Sequence, residues 1–153
     1  MRKLMIDNVV KEEVLNIQSN SFFKREMGGI LIGAYDTKLE CLRITDMSFP
    51  YPGDEQSSFR FFRKSKGHQE EMDRLWEESE HTKAYLGEWH THNQDTPTPS
   101  ITDCKTWKRI SKRNKNFDEC FFMIIGKKTF IVWTVIDGNI IEVFRGSENG
   151  EEK

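Results

Sequence analysis

Cysteine is scarce: Cys41, Cys104 and Cys120 are the only three in 153 residues. An odd number with no C-x-x-C spacing excludes a fully paired disulfide framework and argues against a thiolate zinc cluster, so a reducing compartment is expected. Long apolar runs are also missing, since no segment reaches the roughly 18 consecutive apolar residues that cross a bilayer. Near the start, Asp7 and Asn8 interrupt what would be the apolar stretch of a signal peptide. The expected location is therefore the cytoplasm, away from membranes. Nor is there an excess of charge of one sign: 23 Lys and Arg against 25 Asp and Glu leave a net charge of −2, and a nucleic-acid partner is not expected. No repeat or linker-like composition divides the chain.

What is present suffices for one domain. Hydrophobic residues make up 36% of the chain, with 11 Phe among them, enough for a core. A chain of this length buries roughly two thirds of its unfolded surface without covalent staples. Residues 1–146 are expected to form a single domain and 147–153, rich in Glu, a flexible tail.

Hydrophobic periodicity supplies the elements. Val9, Val10, Val14, Leu15 and Ile17 predict a helix from Asn8 to about Ser21, capped by Asp7 or Asn8. Glu26 to Tyr35 reads as a glycine-rich strand, and Leu39 to Phe49 as its antiparallel partner across the turn Asp36-Thr37-Lys38. Pro50 to Ser58 reads as a loop and Phe59 to Lys64 as a short edge strand, together able to hold an extended substrate tail by strand addition. A helix from about Gly67 to Ser79 would bury Met72, Leu75 and Trp76, followed by a strand from Lys83 to Thr91. Ser100-Ile101-Thr102-Asp103 fits a helix-capping pattern. It would open a helix to about Asn114, with Trp107 and Ile110 inward and Lys105, Lys108, Arg109, Lys112 and Arg113 on a basic outer face. Strands Glu119–Ile125, Thr129–Ile136 and Asn139–Phe144 complete the chain. The class is α/β or α+β with a mixed sheet.

The chemistry gathers where the fourth strand meets the third helix. His90 and His92 are two apart at a strand end, so both face one side, roughly 6.5 to 7 Å apart along the strand. That lets two imidazoles converge on one metal ion. Asp103, in the first turn of the next helix, is the preferred third ligand, its carboxylate favoured by the helix dipole. Glu88 shares the strand face and is the alternative. It is disfavoured because three same-face residues span roughly 13 Å, too far for one ion with bonds of roughly 2 Å. A zinc ion held by three such ligands keeps a position for water, acidifies it and polarises a carbonyl for attack. Ser100 is placed to donate to an oxyanion, whereas nothing local dictates the general base. Taken singly, H-x-H is more often a solvated strand face, and Ser100 with Asp103 more often a capping box. Their joint occurrence in one short span is what argues for a metal centre. His68 and His81 stand in polar surroundings and read as surface residues.

His90-Thr91-His92, seven residues, then Ser100-x-x-Asp103 resembles the signature of the JAB/JAMM metalloproteases, H-[S/T]-H-x7-S-x-x-D. That family also carries a glutamate ahead of a glycine-containing strand, and Glu26 before Met27-Gly28-Gly29 matches it. The resemblance implies a curved mixed β-sheet flanked by helices, of the cytidine-deaminase-like type. It implies one Zn2+ per chain on His90, His92 and Asp103, Glu26 as general acid/base, and Ser100 stabilising the oxyanion. Its implied activity is hydrolysis of an isopeptide or peptide bond after the extended C-terminal tail of a ubiquitin-like protein. Tyr85 to His92, Pro97 and Pro99 before Ser100, and Trp107 are similar to a stand-alone bacterial branch. That branch includes the deconjugating peptidase of CBASS anti-phage systems, whose substrate is a CD-NTase joined to targets by an E1–E2-like partner. One departure is Asn93, where the family has proline, which implies a less rigid turn. Two rival readings are a metal-free JAB-like scaffold and a zinc deaminase. The latter needs H-x-E followed by P-C-x-x-C, and His92 stands where its glutamate belongs.

Overall fold

Phe121-Phe122-Met123-Ile124-Ile125 contains no polar residue, and all five are buried. A strand can be apolar throughout only if both of its faces are covered, and this one divides two cores. Phe121, Met123 and Ile125 join a cluster with Val10, Val14, Ile17, Leu86 and Trp89. Phe122 and Ile124 turn the other way, onto Trp107 and Ile110.

The computed structural model describes residues 3–19, 26–48, 66–113, 117 and 119–147. In chain order the elements are β1 (Lys3–Ile6), α1 (Asn8–Ser19), β2 (Gly28–Asp36), β3 (Cys41–Met47), α2 (Lys66–Glu78), β4 (Ala84–Thr91), α3 (Ile101–Arg113), β5 (Phe121–Ile125), β6 (Thr129–Ile136) and β7 (Asn139–Ser147). The strands form one mixed sheet in the order β1-β3-β2-β4-β5-β6-β7. β1 with β3 and β4 with β5 are parallel; the other pairs are antiparallel. Register shifts in the β2–β3, β2–β4 and β6–β7 ladders bend and twist the strands, as bulges do, and the sheet curves. α1 covers one face through Val10, Val14 and Ile17. α3 and α2 cover the other, through Trp107 and Ile110 and through Leu75. The class is α/β (α+β), a curved mixed sheet flanked by helices, as expected from the sequence. No helix among the described residues is long and apolar enough to cross a membrane.

Several local expectations need correction. β1 is an additional strand. Val9 is 55% exposed, and only Val10, Val14 and Ile17 form the buried stripe of α1, because their i, i+4, i+7 spacing puts these three on one helix face while Val9 and Leu15 fall to its flanks. The Asp7 carboxylate does not cap α1; it takes two hydrogen bonds of 2.8 Å from Arg43 Nη2, while the Asp7 backbone carbonyl starts the helix by accepting from Val10 N–H. Trp76 is 39% exposed and lies flat on the His81 ring, 4.8 Å between centroids, instead of entering the core with Leu75. β7 runs through Ser147, the first residue of the expected tail. The loop at 50–58, the edge strand at 59–64, the His68 side chain and the rest of the tail at 148–153 lie outside the described residues.

Candidate metal centre

β4 delivers the histidines because its neighbours come unusually close. A Cβ on Gly87 would overlap the Phe121 carbonyl oxygen of β5, and one on Gly28 would sit 2.8 Å from the Trp89 carbonyl oxygen and 3.3 Å from His90 Cβ. Only glycine permits this backbone approach. On the β2 side, Leu31 pairs with Gly87 and Ile32 with Tyr85, so Leu86 is the extra residue of a bulge. The bulge sends Leu86 and Trp89 into the α1-side core. Tyr85, Glu88 and His90 are left facing α2 and α3, with the His90 ring 6.5 Å from that of Trp107.

His92 follows directly after β4, anchored by its N–H to the Ile125 carbonyl at 3.0 Å. Its Nε2 lies 3.1 Å from His90 Nε2. Asp103 Oδ2 is 3.5 Å from His90 Nε2 and 3.4 Å from His92 Nε2. These residues form a group whose ligand atoms all lie within 4.8 Å of one another. Two atoms bound tetrahedrally to one zinc at roughly 2.0 to 2.2 Å are themselves roughly 3.3 to 3.6 Å apart. The donor set and its spacing therefore fit a zinc-like ion. Three lone-pair atoms this close repel one another unless a proton or a cation lies between them.

The electrostatics follow from that crowding. Burial opposes ionisation of Asp103, but the two imidazoles and the Ser100 N–H outweigh it and hold the carboxyl far below the usual carboxylate range. Burial likewise opposes the charged form of His92; Asp103 and Glu26 outweigh it, and the pKa is raised. Asp103 is also locked by its helix. Ser100 N–H donates to Asp103 Oδ2 at 2.8 Å, and Asp103 N–H donates to Ser100 Oγ at 3.0 Å. This reciprocal capping box seats the carboxylate at the positive end of α3.

Glu26 arrives from the segment ahead of β2. Its Oε1 is 3.9 Å from His92 Nε2, with the side chain 44% exposed, so it stands at the open rim while His90 and Asp103 are sealed beneath. Thr91, given no role in the sequence reading, fixes that segment: Met27 N–H donates to Thr91 Oγ1 at 2.9 Å, and Thr91 N–H donates to the Met27 carbonyl at 2.9 Å. A hydroxyl between two histidines that face the other side of the strand was the available signal. Glu88 is buried and accepts from the Tyr85 hydroxyl at 2.8 Å, outside the converging group. His81 is exposed against Glu77, and Cys104 is half-buried and not in the ligand group.

The sequence matches the family described as prokaryotic homologs of the JAB domain over residues 11–139. It is 39% identical over 105 residues to a CD-NTase/cGAS isopeptidase of Vibrio cholerae serotype O1, covering 69% of this chain and 64% of that protein. A protein of the same description from Escherichia coli strain TW11681 is 35% identical over 102 residues, covering 65% of this chain and 64% of the relative. One from Pseudomonas aeruginosa is 31% identical over 108 residues, covering 70% and 66%. The chain thus spans a little under two thirds of the length of these curated relatives. The solution structure of a Desulfitobacterium hafniense protein superposes with a TM-score of 0.58 at 17% identity, over 91% of this chain and 88% of the other, and shares the fold.

Proposed function

The chain belongs to the prokaryotic JAB-domain family, and we propose that it is a zinc-dependent isopeptidase of the JAMM type. Its substrate on this reading is a protein whose C-terminal tail is joined through an amide to a target. The relatives' description favours a CD-NTase as the owner of that tail, with a ubiquitin-like protein as the alternative and an E1–E2-like partner making the conjugate in a CBASS-type anti-phage setting. The observation that carries the proposal is the convergence of His90, His92 and Asp103, with the Glu26 carboxylate 3.9 Å from one of the ligand nitrogens.

A divalent ion bound there would supply Lewis acidity toward the scissile carbonyl and toward water. His90, His92 and Asp103 would hold it, with atoms whose positions the strand, the turn and the capping box fix in advance. Glu26 Oε1 takes a proton from the attacking water. Ser100 Oγ accepts the Asp103 N–H through a lone pair, which leaves its hydroxyl proton free to be donated to the oxyanion that grows on the carbonyl oxygen. The C–N bond breaks as Glu26 passes its proton to the leaving amine. The new carboxyl group gives the water's remaining proton to the released amine, so the tail departs as a carboxylate, the target regains its amine as an ammonium, and Glu26 returns to its starting form.

The competing reading is a metal-free scaffold. Retention of Glu26, His90, His92, Ser100 and Asp103 together favours the enzyme, because a scaffold has no use for a proton carrier beside three ligands. The test is elemental analysis of freshly purified protein, combined with cleavage of a fusion carrying the C-terminal tail of a CD-NTase. Near one zinc per chain, and cleavage that stops with a chelator and returns with zinc, is expected. Protein with neither metal nor cleavage is a scaffold, and cleavage that survives chelation contradicts the zinc mechanism.

A further inference from the structure

The turn after His92 has Asn93 in place of proline, yet it is tightly held. Lys127 N–H donates to the Gln94 carbonyl at 2.7 Å, and the Lys128 and Thr129 N–H groups both donate to the Asp95 carbonyl at 3.1 Å. The β5–β6 turn that supplies these donors is itself tied to α1, where Gln18 Nε2 donates to the Gly126 carbonyl at 2.9 Å. Pro97, buried, packs against the same Gly126. Three backbone hydrogen bonds from a neighbouring hairpin thus pin a turn that the sequence alone would read as loose.

The side chain that this turn carries faces the metal centre from outside. Gln94 Oε1 lies 3.3 Å from His92 Nδ1, the ring nitrogen turned away from the other ligands. The same oxygen accepts the Thr98 N–H at 3.1 Å, and Gln94 Nε2 faces Thr98 Oγ1 at 3.5 Å. A backbone N–H can only donate, so the amide must present its oxygen, not its nitrogen, at that corner. That oxygen can only accept, which requires a proton on Nδ1 and leaves the lone pair on Nε2. Nε2 is the nitrogen that lies 3.1 Å from His90 Nε2 and 3.4 Å from Asp103.

We propose that Gln94, oriented by Thr98 N–H and by the β5–β6 turn, is a positioning residue that sets the tautomer of His92 for metal binding. It replaces with hydrogen bonds the rigidity that a proline would supply. The inference rests on the metal centre proposed above and concerns how that centre is tuned.

The test uses the full chain, zinc alone as the probe, and three proteins: wild type, Gln94→Leu and Gln94→Glu. Zinc affinity is measured by competition with a chromogenic chelator. Loss of an outer partner of a metal-bound histidine weakens binding roughly 10- to 100-fold, so Gln94→Leu should bind zinc weaker by that factor. Gln94→Glu, which keeps an acceptor oxygen, should bind at least as tightly as wild type. Nitrogen-15 imidazole correlation spectra of the zinc-loaded wild type should show His92 protonated at Nδ1 and metallated at Nε2. Equal affinity in Gln94→Leu and wild type, or metallation of His92 through Nδ1, overturns the assignment. Equal losses in the Leu and Glu variants also overturn it, since they would mark a merely structural role. A wild type that binds no zinc fails the metal centre itself, which is a different result.

Discussion

Met27 and Thr91 exchange a pair of hydrogen bonds, each 2.9 Å, one to the threonine hydroxyl and one from its backbone N–H. Through this clamp the residue between the two histidines sets where the next residue upstream, Glu26, can place its carboxylate. Thr91→Val removes the hydroxyl and keeps the shape. It should retain zinc yet lose about 100-fold in turnover, the scale of a misplacement of roughly 1 Å at a reacting group. Thr91→Ser should restore most of it. Steady-state rates with parallel zinc analysis check this, and unchanged turnover in the valine variant would remove the clamp from the account.

Ser100 and Asp103 share one capping box but are assigned different roles, which zinc content separates. Asp103→Ala should bind no zinc, whereas Ser100→Ala should keep it and lose roughly 100- to 1,000-fold in turnover, as loss of an oxyanion donor does. Both should lower stability by about 1 kcal/mol through the cap, read from denaturant melts of the zinc-free proteins. Zinc bound at full strength by Asp103→Ala would move the third ligand elsewhere, to Glu88 first.

Gly87 tests the packing that presents β4. Its Cβ position is occupied by the backbone of Phe121, and backbone cannot rotate aside. Gly87→Ala should cost more than the about 1–3 kcal/mol typical of overpacking, appearing as a large drop in melting temperature or loss of folded protein. A variant as stable as wild type would mean that β4 and β5 part without consequence.

How far the sequence carries this picture depends on whether the interaction is local. The two-residue spacing of His90 and His92 and the three-residue spacing of Ser100 and Asp103 are set by strand and helix geometry, so both could be read directly. Asp103 was preferable to Glu88 because strand rise limits what one ion can reach. β1 was not legible, since four residues, Lys3–Ile6, are too few to show an alternation. The Asp7–Arg43 pair joins residues 36 apart, and local capping rules assign Asp7 to its own helix instead. The bulge that turns Leu86 inward comes from pairing with β2, and Gln94 acquires its meaning only when the β5–β6 turn closes over it. Thr91 was visible as a residue but not as a clamp, because its partner lies 64 positions away.

On the proposed mechanism three side chains hold a metal ion while a fourth, Glu26, moves the proton. The most direct measurement is zinc stoichiometry and cleavage of the CD-NTase-tail fusion by Glu26→Gln. The amide keeps the size of the side chain but cannot take a proton, a loss of roughly 100- to 10,000-fold for a general acid–base. A folded protein with near one zinc per chain and cleavage reduced at least that far is expected. Full zinc with wild-type cleavage would place the proton carrier elsewhere and contradict that mechanism.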